Sequence, residues 1–230
     1  MPKGLTPELI KRLESVDSPT VSNAVERFNV RSRREGYMGP EILCRFPDLG
    51  AVVGYATTCT IVEYDEKYPP DSRERYKWLK SIDDYAKARK PPLCVVKDTC
   101  HRKGWSSHWG EMVGTQTLVL GSKAIITDGA VRDLEALRRI GLKTWSQHVV
   151  VSHGWIDVGL ADIPVEVGGL VVSPGDILHA DMNGVVCIPE QVIDDIWGVI
   201  EKLLDDEQKR ATEMREKGID LEAMRKRLEH

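Results

Sequence analysis

Between residues 93 and 151 short apolar runs alternate with segments of helical spacing, and this alternation constrains the fold more than any other feature of the chain. Residues 93–96, 124–127 and 144–151 are apolar and rich in β-formers, while 109–120 and 132–140 can form helices. A strand–helix–strand–helix–strand run closes through right-handed crossovers, so it predicts a parallel sheet. Upstream, Thr6-Pro7 is a helix start, followed by Leu9, Ile10 and Leu13 on one face. Ser18-Pro19 opens a second helix carrying Val21, Ala24 and Val25. Residues 31–50 read as loop and 51–64 as strand. Beyond Trp155 the texture turns to β, with short strands at 165–167 and 170–172, a turn at Pro174-Gly175-Asp176, and the tight-hairpin signal Asn183-Gly184 ahead of a strand over 185–188. A long helix is expected over about 189–217, with Val192, Ile196, Val199, Ile200 and Leu203 on one face.

These elements describe a single α/β domain over residues 1–227. Within it, residues 65–91 stand apart. They are bounded by Pro69-Pro70 and Pro91-Pro92, carry many charges, and place Tyr76, Leu79, Ile82 and Tyr85 at helical spacing. The expectation is an exposed helix lying over a site or a neighbour. Residues 228–230 resemble the start of a purification tag and are set aside.

Composition narrows the function classes. A formal net charge of −4 argues against nucleic acid as the main partner, because phosphate binding wants a basic face. No apolar run approaches the ~20 residues that span a bilayer, so no membrane partner is expected. Residues 1–13 hold no continuous apolar stretch of signal type, which makes the cytoplasm the expected compartment. The five cysteines form no CxxC pair, so neither a disulfide framework nor a zinc cluster is expected.

The chemistry concentrates in one stretch. Twenty residues separate Glu111 from Arg132, room for one helix, one strand and a turn. Glu111 and the Arg132-Asp133 pair therefore reach the same edge of a parallel sheet, outside the carboxyl ends of the strands, where such sheets place ligands. Helix starts near 110–113 and 132–134 would turn backbone N–H groups toward an anion, and Gly110 and Gly129 let the chain come close. Taken alone, Arg132-Asp133 is as readily a helix start, where an acidic residue is stabilising. His153 and His179 have no second histidine at ligand spacing and read as satisfied strand or loop residues. His101 and His108 flank the loop before Glu111 and are candidates for substrate contact. Lys97, at a strand end, is the candidate for a Schiff-base route. Asp176, Asp181 and Asn183 read as turn chemistry.

Trp109-Gly110-Glu111, the spacer, and Thr127-Asp128-Gly129-Ala130-Val131-Arg132-Asp133 resemble the signature of the RraA-like family. So do Pro174-Gly175-Asp176-Ile177, the run from Asp181 to Pro189, Thr20-Val21-Ser22-Asn23-Ala24 and Gly54-Tyr55-Ala56-Thr57-Thr58. The resemblance covers roughly residues 6–220. It implies an RraA-like swivelling β/β/α domain with a mixed sheet and flanking helices, assembled as a homotrimer or hexamer with sites between subunits. The implied function is that of a metal-dependent lyase cleaving a 2-oxo acid, by retro-aldol reaction of a 4-hydroxy-2-oxo acid or by oxaloacetate decarboxylation. The alternative is a non-catalytic regulatory binding protein of RNA-processing machinery, like the member that names the family. By resemblance, Asp133 would hold Mg2+ or Mn2+ with waters, and Arg132 would stabilise the developing enolate. Glu111 would serve as acid/base through a water, and Gly110, Met112 and Val113 would bind the substrate carboxylate. Glu207, with Asp206 next to it, would reach a neighbouring subunit's site. Two departures stand out: Glu111 where the aldolase branch has aspartate, and Asn23 where the family usually has aspartate.

Overall fold

A computed structural model describes residues 4–228. In chain order it contains α1 (Pro7–Leu13), α2 (Ser18–Glu26), β1 (Leu43–Cys44), β2 (Val52–Glu63), α3 (Ser72–Lys87), β3 (Pro92–Asp98), β4 (Ser107–Trp109), α4 (Glu111–Val119), β5 (Ala124–Val131), α5 (Leu134–Arg139), β6 (Lys143–Val149), β7 (Ile156–Ala161), β8 (Val165–Val167), β9 (Leu170–Val172), β10 (Ile177–Asp181), β11 (Gly184–Ile188), α6 (Ile196–Lys217) and α7 (Leu221–Leu228). The suggested tag remnant lies, for residues 229–230, outside the described residues.

The α/β expectation holds, and the sheet is mixed. Its strand order is β1-β6-β5-β3-β2-β10-β11, with β4 alongside β5 and β7 alongside β2. The segments 93–151 supply the parallel pairs β3–β5 and β5–β6, and β2 joins β3 in parallel. Every residue of β5 is buried, as expected of a strand covered on both faces. The hairpin signal at Asn183-Gly184 closes β10 onto β11, with Asp181 opposite Gly184. The two ends of the sheet are drawn together by the segment after α2. Met38 N–H donates to Val185 O beside β11 at 2.9 Å, and a few residues later Leu43 and Cys44 pair with β6. The result is a nearly closed mixed sheet whose interior packs Leu93, Val95, Ile126, Trp145 and Leu178.

Helices flank it on two sides. α1, α2 and α6 bury Leu13, Val21, Ile196 and Ile200 against β10 and β11. Thr6 Oγ1 caps α1 by accepting from Leu9 N–H, and Asp17 caps α2 by accepting from Thr20 N–H. On the other side α3 is exposed along its outer face but buries Trp78 and Ile82. It is fastened to β7: Ala161 N–H donates to Glu74, and Lys77 donates to Ala161 O. Among the described residues no helix is long and apolar enough to cross a membrane.

Two boundaries differ from the sequence reading where it matters. Trp109, expected in a helix, ends β4, because it pairs in the ladder with Val131 and is buried. Residues 132 and 133, expected as the start of a helix, lie ahead of α5, which begins at Leu134. Residues 128–131, which lie between the expected strand and the expected helix, continue β5.

Candidate active site

β4 and β5 run in parallel and end together, so the residues that follow each strand meet. Arg132 N–H donates to Trp109 O at 2.8 Å, which sets Gly110 and Glu111 beside Arg132 and Asp133. Glu111 N–H then donates to Asp133 Oδ2 at 3.1 Å. Gly110 is extended, at φ −136° and ψ −167°, so backbone strain does not require glycine there. Space does: a Cβ would sit 2.5 Å from Asp133 Oδ2 and 3.0 Å from Arg132 Nε.

Asp133 itself adopts the left-handed conformation, φ 56° and ψ 43°, and its side chain does not cap α5. Aspartate tolerates this region better than most residues, yet such conformations carry a cost and gather at functional sites. The conformation removes the simple helix-start reading of this residue. Its Oδ2 lies 3.7 Å from Arg132 Nε, and the two side chains are 33% (Arg132) and 43% (Asp133) exposed. A charged pair is thus held in place while staying open to a ligand.

Both line a cavity of about 200 Å³ with Gly110, Met112 and Val113. Met112 and Val113 lie in the first turn of α4, whose N–H groups have no partner within the helix. The cavity therefore offers a guanidinium, a carboxylate and backbone donors. His108 lines it too; burial pushes its imidazole down to about 4, so the ring is neutral at pH 7.

Other expected residues fall elsewhere. The Glu111 carboxylate does not line the cavity; its Oε1 accepts from Arg139 Nη2 at 2.8 Å. Glu207 and Asp206 lie on α6, which packs with α1 and α2, and neither lines the cavity within one chain. Lys97 donates to Asp128 at 2.7 Å, a carboxylate only 2% exposed that also takes Lys103. His179 is buried between β10 and the α1–α2 turn, with Nδ1 facing Ser18 Oγ at 2.9 Å and Nε2 facing Leu13 O at 3.0 Å. Asp176 and Asp181 accept turn and helix-start N–H groups, from Ser173, Ser18 and Asn183.

Two ionisable cavity residues escaped the sequence reading. His153, taken as a satisfied loop residue, lines the cavity, and so does Arg75 from α3. The charge density of 65–91 was visible, but nothing in spacing indicated which charge turns inward.

Among the described residues no group of three or more His, Cys, Asp or Glu side chains is arranged to hold a metal ion. The donor set at Asp133 fits a narrower case. One half-exposed carboxylate, reachable by water, suits a hard cation that keeps most of its hydration.

The family model described as RraA-like, Aldolase/RraA, matches residues 18–187. A protein of Halalkalibacterium halodurans, named provisionally as a 4-hydroxy-4-methyl-2-oxoglutarate aldolase, is 24% identical over 102 residues, 44% of this chain and 49% of that one. The chain spans about half the length, or less, of the curated relatives it matches. A crystal structure of an uncharacterised Pseudomonas syringae protein superposes with a TM-score of 0.70 at 19% identity, covering 98% of this chain and 96% of that one. Streptomyces coelicolor RraAS2, described as an unusual member of the RNase ES inhibitor RraA protein family, gives 0.67 at 24% identity over 94% and 100% of the two chains.

Proposed function

The chain belongs to the RraA-like family, and from that membership we propose that it is a divalent-metal-dependent carbon–carbon lyase acting on a 2-oxo acid. The observation that carries the reading is the Asp133 carboxylate, fixed beside Arg132 by the Glu111 N–H and by the absence of a side chain at Gly110.

In this reading the carboxylate of the 2-oxo acid lies against the Met112 and Val113 N–H groups, at the positive end of α4. Arg132 faces the keto oxygen, where negative charge grows as the bond beyond C3 breaks and a pyruvate enolate forms. Asp133 holds Mg2+ or Mn2+, which supplies Lewis-acid polarisation of the keto group when bound. Glu111 swings from Arg139 and, through a water, takes the proton of the 4-hydroxyl in a retro-aldol cleavage, and C3 is then protonated to give pyruvate. Neutral His108 closes one wall without adding a competing charge. Glu207, exposed on α6, is offered to the site of a second copy in a homotrimer or hexamer, the assembly proposed to complete the site.

The test is pyruvate release from 4-hydroxy-2-oxo acids and from oxaloacetate with Mg2+, repeated with EDTA. EDTA-sensitive turnover is expected. A second reading, a non-catalytic regulatory binding protein of RNA-processing machinery, is favoured by the engagement of Glu111 with Arg139; absence of turnover on every substrate would select it.

A further inference from the structure

Cleavage of a 2-oxo acid to pyruvate ends with a proton arriving at C3, and none of the groups assigned so far donates it. The donor must line the cavity and give up a proton near neutral pH. Arg75 and Arg132 line it, but a guanidinium keeps its proton. Asp133 is assigned to the cation, and the Glu111 carboxylate is turned to Arg139. Ser107 Oγ donates to Trp109 O at 2.7 Å. His108 packs against Trp78 and Trp109, with ring centroids 6.1 and 5.7 Å away, and burial keeps it neutral. His153 is left: it lines the cavity and is exposed.

The chain holds His153 in one place. Val150 N–H donates to Val131 O at 3.1 Å and Ser107 N–H to Ser152 O at 3.0 Å, which ties the segment before it to β5 and β4. Beyond it, Tyr64 N–H donates to Trp155 O at 3.0 Å. Between these ties Gly154 turns through φ 51°, and its N–H donates to Ser152 Oγ at 3.2 Å. A Cβ there would lie 2.3 Å from Ser106 Oγ. The turn brings the Gly154 carbonyl oxygen to 2.7 Å from His153 Nδ1. A carbonyl only accepts, so Nδ1 carries a proton and donates, which fixes the tautomer. Nε2 has no partner among the described residues and is the nitrogen that can take up and release a proton. Imidazole exchanges protons near neutral pH more readily than other side chains.

We propose that His153 is a further catalytic residue, the acid that delivers a proton from Nε2 to C3 of the enolate. This rests on the lyase reading and completes its second proton transfer. The cavity holds about 200 Å³, so a molecule of pyruvate's size bound at Arg132 lies near His153 as well. The enolate's C2–C3 electron pair forms the new C–H bond, the charge on oxygen restores the C2 carbonyl, and the imidazolium becomes neutral imidazole. A proton from solvent reloads Nε2 before the next turnover. In reverse, neutral Nε2 removes a methyl proton from pyruvate. No oxidant or reductant is involved. Glu111, acting on the 4-hydroxyl, and His153, acting at C3, divide the two transfers between α4 and the segment after β6.

The experiment follows loss of the pyruvate methyl signal in D2O with the full chain and Mg2+. His153→Asn is chosen because its amide nitrogen can keep the bond to Gly154 O while nothing replaces Nε2. Exchange should fall by about 100-fold or more. Oxalate, an enolate mimic with no C–H bond, is titrated calorimetrically with Mg2+, and its affinity should stay within about threefold of that of the unaltered protein. Free imidazole added to His153→Ala should restore part of the exchange. Exchange in His153→Asn that stays close to the unaltered rate and sensitive to EDTA would overturn the proposal while sparing the lyase reading. Loss of oxalate binding along with exchange, or no gain from imidazole, would make His153 structural and overturn it too. Exchange absent from the unaltered protein would count against both.

Discussion

Arg139 Nη2 lies 2.8 Å from Glu111 Oε1, so the carboxylate expected to serve as acid/base is tied to α5 rather than turned into the cavity. Both side chains are largely exposed, and such a pair contributes ~0–1 kcal/mol, a barrier that substrate binding readily overcomes. Arg139→Ala should therefore keep kcat within about threefold. Glu111→Gln, which removes the acid/base, should lower it by about 100-fold or more. Steady-state pyruvate release measures both, and equal losses in the two variants would place Glu111 in a structural role.

Gly110→Ala separates the site from the fold. The added methyl meets Asp133 Oδ2 and Arg132 Nε, while the backbone conformation suits alanine. Mn2+ affinity should fall by about tenfold or more, in line with displacement of a ligand, with the thermal midpoint nearly unchanged. Metal titration followed by a melt reports both quantities; unaltered Mn2+ binding would contradict the assignment of Asp133.

His108 gives the pH dependence its sign. Its folded value, pushed down to about 4 by burial, lies below the ~6.5 of an unfolded histidine. The unfolded chain binds the proton first, so this stability is complete above about pH 6.5 and is lost as pH falls toward 4. Between pH 7 and pH 5 the loss corresponds to about 2 kcal/mol. Urea unfolding of the unaltered chain should show that much more decline over this window than His108→Phe, and parallel curves would contradict it.

Lys97 offers a test against metal-free chemistry. A Schiff base there would break its bond to Asp128 and leave a buried carboxylate with one partner fewer, a costly change. Borohydride added with pyruvate should leave the intact mass of the protein unchanged.

How much of this was legible in the sequence depends on how local each signal is. The parallel strands announced themselves through apolar β-branched runs, and the hairpin through Asn183-Gly184, because both are written in neighbouring residues. Trp109 was misplaced because a helix-compatible stretch was overridden by pairing with Val131, a tertiary effect. At the site, the Gly110 to Asp133 constellation was visible through its spacing and family resemblance. The left-handed turn at Asp133 was not, since aspartate at a helix start carries no mark of that conformation. Arg75 was hidden for a different reason. Its orientation is set by Asp157, eighty-two positions away, and only the packing of α3 on β7 reveals it.

The central claim, an enolate formed at Arg132 and Asp133, can be measured without knowing the natural substrate. Pyruvate in D2O with the protein and Mg2+ should lose its methyl proton signal as C3 exchanges through the enolate. The account predicts exchange that EDTA abolishes and that Arg132→Ala lowers by about 100-fold or more. Exchange no faster than in protein-free buffer with Mg2+, or exchange untouched by EDTA and by Arg132→Ala, would contradict it.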